Sequence, residues 1–248
     1  MRRLLLGVAL AIALLFPASV GAEEPVLPAS YHTSLPMRMD QAGEPQCVVF
    51  AGTFALDSIL GRRFSTTDAW RVLVSRGEAG PQGTTALSYL EYAKTVGLLP
   101  LRRGAERVYR VWRQPDGGTK GFHYVRQWSN QPASHSGSRV RIRDYVVLDH
   151  NDPLALQRAI LAYGPILVSL PWYNEWVNTR LDGTFKPSRM DATTFYGLHE
   201  VVLFGWKTLG GALYWDVANS WGELWGYKGV GFMPDAYRQF GDAFAVIP

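Results

Sequence analysis

"YWDVANSWGELWGYKGVG" (Tyr214–Gly231) is the stretch that decides how this chain reads. An apolar, β-prone run, Tyr214 to Ala218, stops abruptly at Asn219-Ser220-Trp221-Gly222. An amide at the end of a strand can accept a hydrogen bond from one imidazole nitrogen and so fix its tautomer. The adjacent indole can shield that bond from water, where it is stronger. The stretch could therefore serve to orient a histidine that acts as a base.

Five histidines are available: His32, His123, His135, His150 and His199. His32 sits near the start of the mature chain, and His123 and His135 lie in a turn-rich tract, so solvation accounts for all three. His150, in "LDHND", invites a metal reading. Its Asp-Asn-Asp neighbours suit a turn and helix cap, and no second ligand cluster has metal-site spacing. His199 heads the apolar run "HEVVLFGW" (His199–Trp206), where a polar residue needs a reason. Taken by itself, it reads as a satisfied core histidine.

The chain has one cysteine, Cys47. A lone thiol can be an inert buried group, an intermolecular linker or a reactive nucleophile. It stands where a helix is predicted to begin, after the turn-like "AGEPQ" and before Val48, Ala51, Ala55 and Ile59 at helical spacing, with Gly61 as the stop. A helix N-terminus favours the thiolate through its dipole and its unpaired N–H groups.

Composition bounds the rest. The 248 residues are 47% hydrophobic and 19% charged, enough for a real core in one domain or two closely packed lobes. The net charge of +4 includes Arg2 and Arg3, which belong to a leader, so nothing in the balance argues for nucleic acid. Residues 1–22 read as a secretory signal peptide. "MRR" is its positive end, Leu4 to Phe16 its apolar core, and "PASVGA" its small-residue cleavage region. The apolar core is too short to span a bilayer, which takes about 20 residues. The expectation is export, to a periplasm or beyond, with no membrane anchor after cleavage.

Helical signals come first. "STTDAWRVLVSRG" (Ser65–Gly77) and "TTALSYLEYAKTVG" (Thr84–Gly97) follow the Cys47 helix. Arg113 to Ser138 shows no sustained period and reads as a surface excursion. "RVRIRDYVVL" (Arg139–Leu148) begins with strict alternation, its arginines read as a solvated strand face. A further helix is predicted between Asp152 and Gly164-Pro165. "ILVSL", "HEVVLFGW", "ALYWDVANS" and "KGVGFM" are strand-like runs. Helices first and strands later is an α+β order.

These features together resemble the papain-like cysteine peptidases. Gln41 lies six residues before Cys47, and Phe50 is the aromatic in the helix that follows. Gly164-Pro165 opens a strand. His199 heads an apolar strand ending in Gly205-Trp206, and "YWDVANSWGELWGYKGVG" carries the family's Asn-Ser-Trp-Gly segment. The order Cys47, His199, Asn219 is that of the family, and the resemblance runs from about residue 33 to residue 248. It implies two lobes, one helical and one β-barrel-like, with the active-site cleft between them. It implies Cys47 as nucleophile, His199 as base and acid, Asn219 as the orienting amide, and Gln41 with the Cys47 main-chain N–H as oxyanion donors. Trp221 would cover the His199–Asn219 bond. Gly83, in "GPQGTT" (Gly80–Thr85), would let a substrate backbone approach, though the same stretch reads equally as a turn before a helix. Glu200 would line a specificity pocket, with a preference for a basic side chain.

The chain departs from the family around the nucleophile. Glu44-Pro45-Gln46 replaces Cys-Gly-Ser, Val48 replaces Trp, and the loop's usual disulfide cannot form. Glu44 is expected to place a negative charge near the site. Residues 23–248 read as the peptidase domain without a propeptide, which leaves control to export, a separate inhibitor protein or substrate access. No cofactor or metal is implied. The reading is an exported peptidase acting on peptides or proteins. The alternatives are a cysteine amidase acting on peptidoglycan stem peptides and a catalytically inactive papain-like binding protein.

Overall fold

The computed structural model describes residues 26–35, 40–101, 110–115, 122–127 and 137–248. The leader at 1–22, and much of the 113–138 tract with its histidines' side chains, lie outside them.

Three helices come first: α1 (Cys47–Leu60), α2 (Thr66–Ser75) and α3 (Ala86–Thr95). Each boundary has a local cause. Gly61 closes α1 in the left-handed region at φ 62°, where glycine carries no Cβ penalty. The hydroxyls of Ser65 and Thr85 accept from the N–H groups of Asp68 and Ser88, capping α2 and α3. Asp152 caps α4 (Pro153–Tyr163) by accepting from Leu154 N, with proline in its first turn.

The strands form one antiparallel sheet. β4 (Asp144–Val147), β9 (Asp242–Ile247), β5 (Ile166–Tyr173), β6 (Phe195–Leu209), β7 (Ala212–Ala218) and β8 (Val230–Pro234) lie side by side in that order. The short strand β1 (Ser30–His32) pairs with β6 beyond the end of β5, Tyr31 opposite Trp206. β6 is central, so it reads as a nearly continuous apolar run and not as an alternating one.

The two faces of the sheet make two cores. One face, with Leu167, Val202, Phe204 and Phe244, packs on α1, α2 and α3. The other, with Val168, Val201, Leu203 and Val217, packs on α4 and on a cluster of Trp172, Trp176, Phe185 and Trp225. Successive strand residues point to opposite faces. His199 and Glu200 are thus sent to opposite sides of β6. The result is an α+β fold with a helical layer and a sheet layer meeting at α1. Among the described residues, no helix is long and apolar enough to cross a membrane.

Three expectations change. The 113–138 tract is not wholly irregular, because β2 (Arg110–Pro115) and β3 (Phe122–Gln127) pair as a hairpin. The strand expected from Arg139 is regular only from Asp144. Arg139 is not a solvated face residue; its guanidinium grips both oxygens of Asp68, at 2.7 and 3.0 Å, and donates to the Gly97 carbonyl. The alternation of "RVRIR" comes from a chain threading past α3, with Val140 bridging to Leu98 and only Ile142 buried.

Candidate active site

α1 delivers Cys47 at its first residue, with Gln46 as N-cap. The loop before it is tightly wound. Ala42 and Gly43 both take positive φ, and Ala42 N donates to Asp40 Oδ1. The Cys47 thiol is largely enclosed. Burial pushes it above its ordinary value. The Glu200 main-chain N–H pulls it back down, the Glu200 carboxyl's charge pushes it up, and the Val48 and Cys47 N–H groups pull it down. Three main-chain donors therefore face the sulfur, two from the helix terminus and one from β6. The carboxyl that acts on the thiol is that of Glu200, whereas Glu44, the charge expected near the site, is exposed.

His199 is 6% exposed. One ring nitrogen, Nε2, lies 2.8 Å from Asn219 Oδ1. That oxygen also accepts from Ser220 N at 2.8 Å, which fixes the amide's orientation. Oδ1 can only accept, so Nε2 carries the proton and Nδ1 of the neutral ring is left bare. Burial lowers the imidazole to about 4, partly offset by the bond to Asn219. Burial thus works against the charged form of both the thiol and the imidazole.

Two indoles enclose the ring. Trp221 lies over it with centroids 4.9 Å apart and planes tilted 38°, and Trp172 meets it edge-on at 4.9 Å. Trp221 sits as the resemblance implies. Trp172 was not legible, because nothing in "ILVSLPWY" says which neighbour a β5 side chain will meet. The cue is the register, which puts Trp172 opposite Gly197, two residues from His199 and on its face.

Gln41 is held from both ends. Its Nε2 donates to the Glu44 carbonyl at 2.6 Å, and its Oε1 accepts from Ser220 Oγ. Its main-chain N donates to Ser220 O at 2.7 Å. One chain of hydrogen bonds thus runs from His199 through Asn219 and Ser220 to Gln41 and the loop before Cys47. One Nε2 hydrogen remains for another acceptor.

Gly83 is a turn residue. Its N–H and carbonyl exchange hydrogen bonds with Gly80, at 2.9 and 3.0 Å, and its φ is 93°. A Cβ there would lie 3.3 Å from the Pro45 carbonyl, so Gly83 stands against the loop that carries Cys47. Glu200 is 3% exposed, on the opposite face of β6 from His199.

Comparison with known proteins agrees. The papain family cysteine protease profile matches residues 76–239, a span that holds His199 and Asn219 and begins after Cys47. A cysteine protease of Blomia tropicalis is 27% identical over 116 residues, 46% of this chain and 34% of that protein. Cathepsin B-like cysteine proteinase 1 of Ostertagia ostertagi is 33% identical over 98 residues, 40% of this chain and 27% of that protein. The matched segments thus cover only about a third of these relatives' length. Digestive procathepsin L 3 of Tenebrio molitor larval midgut superposes with a TM-score of 0.67 at 21% identity, over 92% of this chain and 72% of that one. Xylellain, a cysteine protease from Xylella fastidiosa, does so with 0.65 at 18% identity, over 90% and 87%. The structural likeness shows the fold, and the sequence match, over more than half of the chain, shows that it belongs to the papain family of cysteine proteases.

Proposed function

We propose that this chain is an exported cysteine peptidase that cleaves peptide bonds in protein substrates through Cys47, His199 and Asn219. The observation that carries the reading is the bond from His199 Nε2 to Asn219 Oδ1, enclosed by two indoles. It leaves Nδ1 of a buried imidazole free to accept a proton. Cys47 sulfur lies against the Glu200 N–H, one residue along the chain from that imidazole.

The chemistry follows from these groups. His199 Nδ1 takes the thiol proton as the sulfur bonds to the substrate's carbonyl carbon. The carbonyl π-electrons move to oxygen, which is stabilised by the Cys47 main-chain N–H and the remaining N–H of Gln41. Collapse expels the amine, protonated by His199, and leaves a thioester on Cys47. Water, deprotonated by His199, then attacks the thioester. The acid product leaves and the proton returns to sulfur. Asn219 keeps the ring in one tautomer throughout. The positive end and apolar core of residues 1–22 support export. Gly83 and Trp221 are proposed to border the substrate cleft.

The test is labelling by an epoxysuccinyl thiol inhibitor, with wild type beside Cys47→Ala and His199→Ala. Stoichiometric labelling lost in both variants, together with casein hydrolysis, is expected. No labelling of the folded protein would sink the catalytic reading. Labelling with cleavage of purified cell-wall peptides but not casein would move the substrate to peptidoglycan.

A further inference from the structure

Trp172 on β5 lies directly opposite Gly197 on β6, two residues before His199 and on the same face. The glycine fills none of the space across from the indole. The ring can therefore lean along β6 to the diagonal position, which an aromatic side chain can reach. It meets the imidazole edge-on with centroids 4.9 Å apart, and it contacts Trp221, the other indole on that ring, at 5.6 Å. His199, Trp172 and Trp221 are thus in mutual contact.

Trp172 is itself immobilised by rings. It is fully buried, and Trp176, Phe185 and Trp225 stand around it at 5.6, 5.7 and 5.9 Å. Trp176 and Trp225 are pinned in turn, their Nε1 groups donating to the carbonyls of Lys186 and Trp176. Trp172 differs from both: its Nε1 is buried and has no hydrogen-bond partner among the described residues. A buried donor left without an acceptor costs stability. A phenylalanine would fill most of the same space without that cost. The indole is thus kept at a loss to the fold, and such losses collect where a site needs the group.

On the peptidase reading given above, we propose that Trp172 is a positioning residue for the base, one that fixes the plane of the His199 ring and closes one side of it to water. Asn219 sets the tautomer, and the two indoles set the tilt. Without Trp172 the imidazole would swing about its bond to Asn219 and take up water. Swinging misplaces the proton acceptor, which slows the chemical step more than it weakens binding. Water stabilises the imidazolium, so the ring would hold a proton at higher pH and stop serving as a base there. The titratable groups nearby are the Cys47 thiol on α1 and the Glu200 carboxyl, which belongs to the other face of β6. The shift of the imidazole comes from burial, offset by the Asn219 bond, and among the described residues from no charged group. What encloses the ring therefore governs its titration.

The experiment compares wild type with Trp172→Phe and Trp172→Leu, and with Trp176→Phe as a control one ring farther from the base. Histidine NMR is read in the Cys47→Ala background, where no thiol can trade a proton with the ring. The His199 midpoint is expected to rise by about one pH unit or more in Trp172→Leu, with Trp172→Phe between it and the parent. Trp176→Phe loses the bond to Lys186 and unfolds at lower urea, yet keeps the midpoint where it was. With Cys47 restored, kcat for a fluorogenic peptide is expected to fall about tenfold in Trp172→Leu with KM little changed, and to recover largely in Trp172→Phe. The acid limb of kcat/KM moves up in pH with the midpoint. An unmoved midpoint in the folded Trp172 variants, or an equal shift in Trp176→Phe, overturns the proposal, as does a loss that falls on KM and not on kcat. If Trp172→Leu does not fold, Trp172→Phe decides: a raised midpoint supports the positioning role and an unmoved one overturns it. If no peptide is cleaved, the peptidase reading fails by itself, and the midpoints still decide whether Trp172 holds the ring.

Discussion

The hydroxyl of Ser220 donates to Gln41 Oε1 while its main-chain N–H donates to Asn219 Oδ1. One residue thereby holds both the Asn219 amide beside His199 and the Gln41 amide, the proposed orienter of the base and the proposed oxyanion donor. Losing an oxyanion donor costs about 100-fold or more in kcat. Gln41→Ala is expected to cost about that much. Ser220→Ala removes only the tether, leaving Gln41 fixed by Glu44, and is expected to cost about tenfold. Both losses should fall on kcat more than on KM in steady-state assays. A Ser220→Ala enzyme with unchanged kcat would show that Glu44 alone positions the amide.

The protonation of His199 can be read directly. Burial disfavours the imidazolium, so the ring should titrate near 4 and not near its ordinary 6.5. The sign for stability follows. Between these values the unfolded chain binds a proton that the folded chain refuses, so stability falls as pH drops from about 6.5 toward about 4. Histidine NMR on the wild type, assigned with His199→Ala, should show a midpoint close to 4. A midpoint above 6.5 would mean that the thiol has already given its proton to the ring.

Asp57 holds the turn between α1 and α2. Its Oδ1 accepts from Phe64 N at 2.9 Å, and Arg63 Nε lies 3.0 Å from its Oδ2, the carboxyl side chain being fully buried. Removing one partner of a buried pair typically costs about 3–5 kcal/mol. Because Arg63 is partly exposed and can turn toward water, Asp57→Ala is expected to cost about 3 kcal/mol in urea unfolding. A loss under about 1 kcal/mol would mean that the turn holds without the cap.

Gly205 lets β1 lie against β6. A Cβ there would meet the Tyr31 carbonyl and stand 2.7 Å from His32 Cα. Gly205→Ala should peel this strand away. Faster hydrogen exchange of the Trp206 indole N–H, which donates to the Pro28 carbonyl at 3.1 Å, is the expected sign. Unchanged exchange would show that the strand can shift without detaching.

Much of the molecule was legible because it depends on local patterns. The α1 boundaries follow from helical spacing and a glycine stop, and the α4 boundaries from Asp152, Pro153 and Gly164. The pairing of His199 with Asn219 was readable because "NSWG" ends a strand in a sequence that resembles a known family. What escaped depends on register and on distant neighbours. The meeting of Trp172 with His199 requires knowing the register of β5 on β6. The capture of Arg139 by Asp68 requires α2 to meet a segment far along the chain, and no periodicity encodes that. Glu44 looked like the charge nearest the thiol because it is near in sequence, whereas Glu200 is near in space.

The burial that disfavours the Cys47 thiolate also bears on how the sulfur meets oxidants. Peroxides attack thiolates far faster than thiols, and oxidation beyond the first step is irreversible. With a single cysteine in the chain, no neighbouring sulfur can rescue a sulfenic acid as an internal disulfide. A sulfur that keeps its proton until a substrate arrives spends little of its lifetime in the vulnerable form. The burial that raises its pKa thus limits the exposure of the chain's one sulfur to irreversible oxidation.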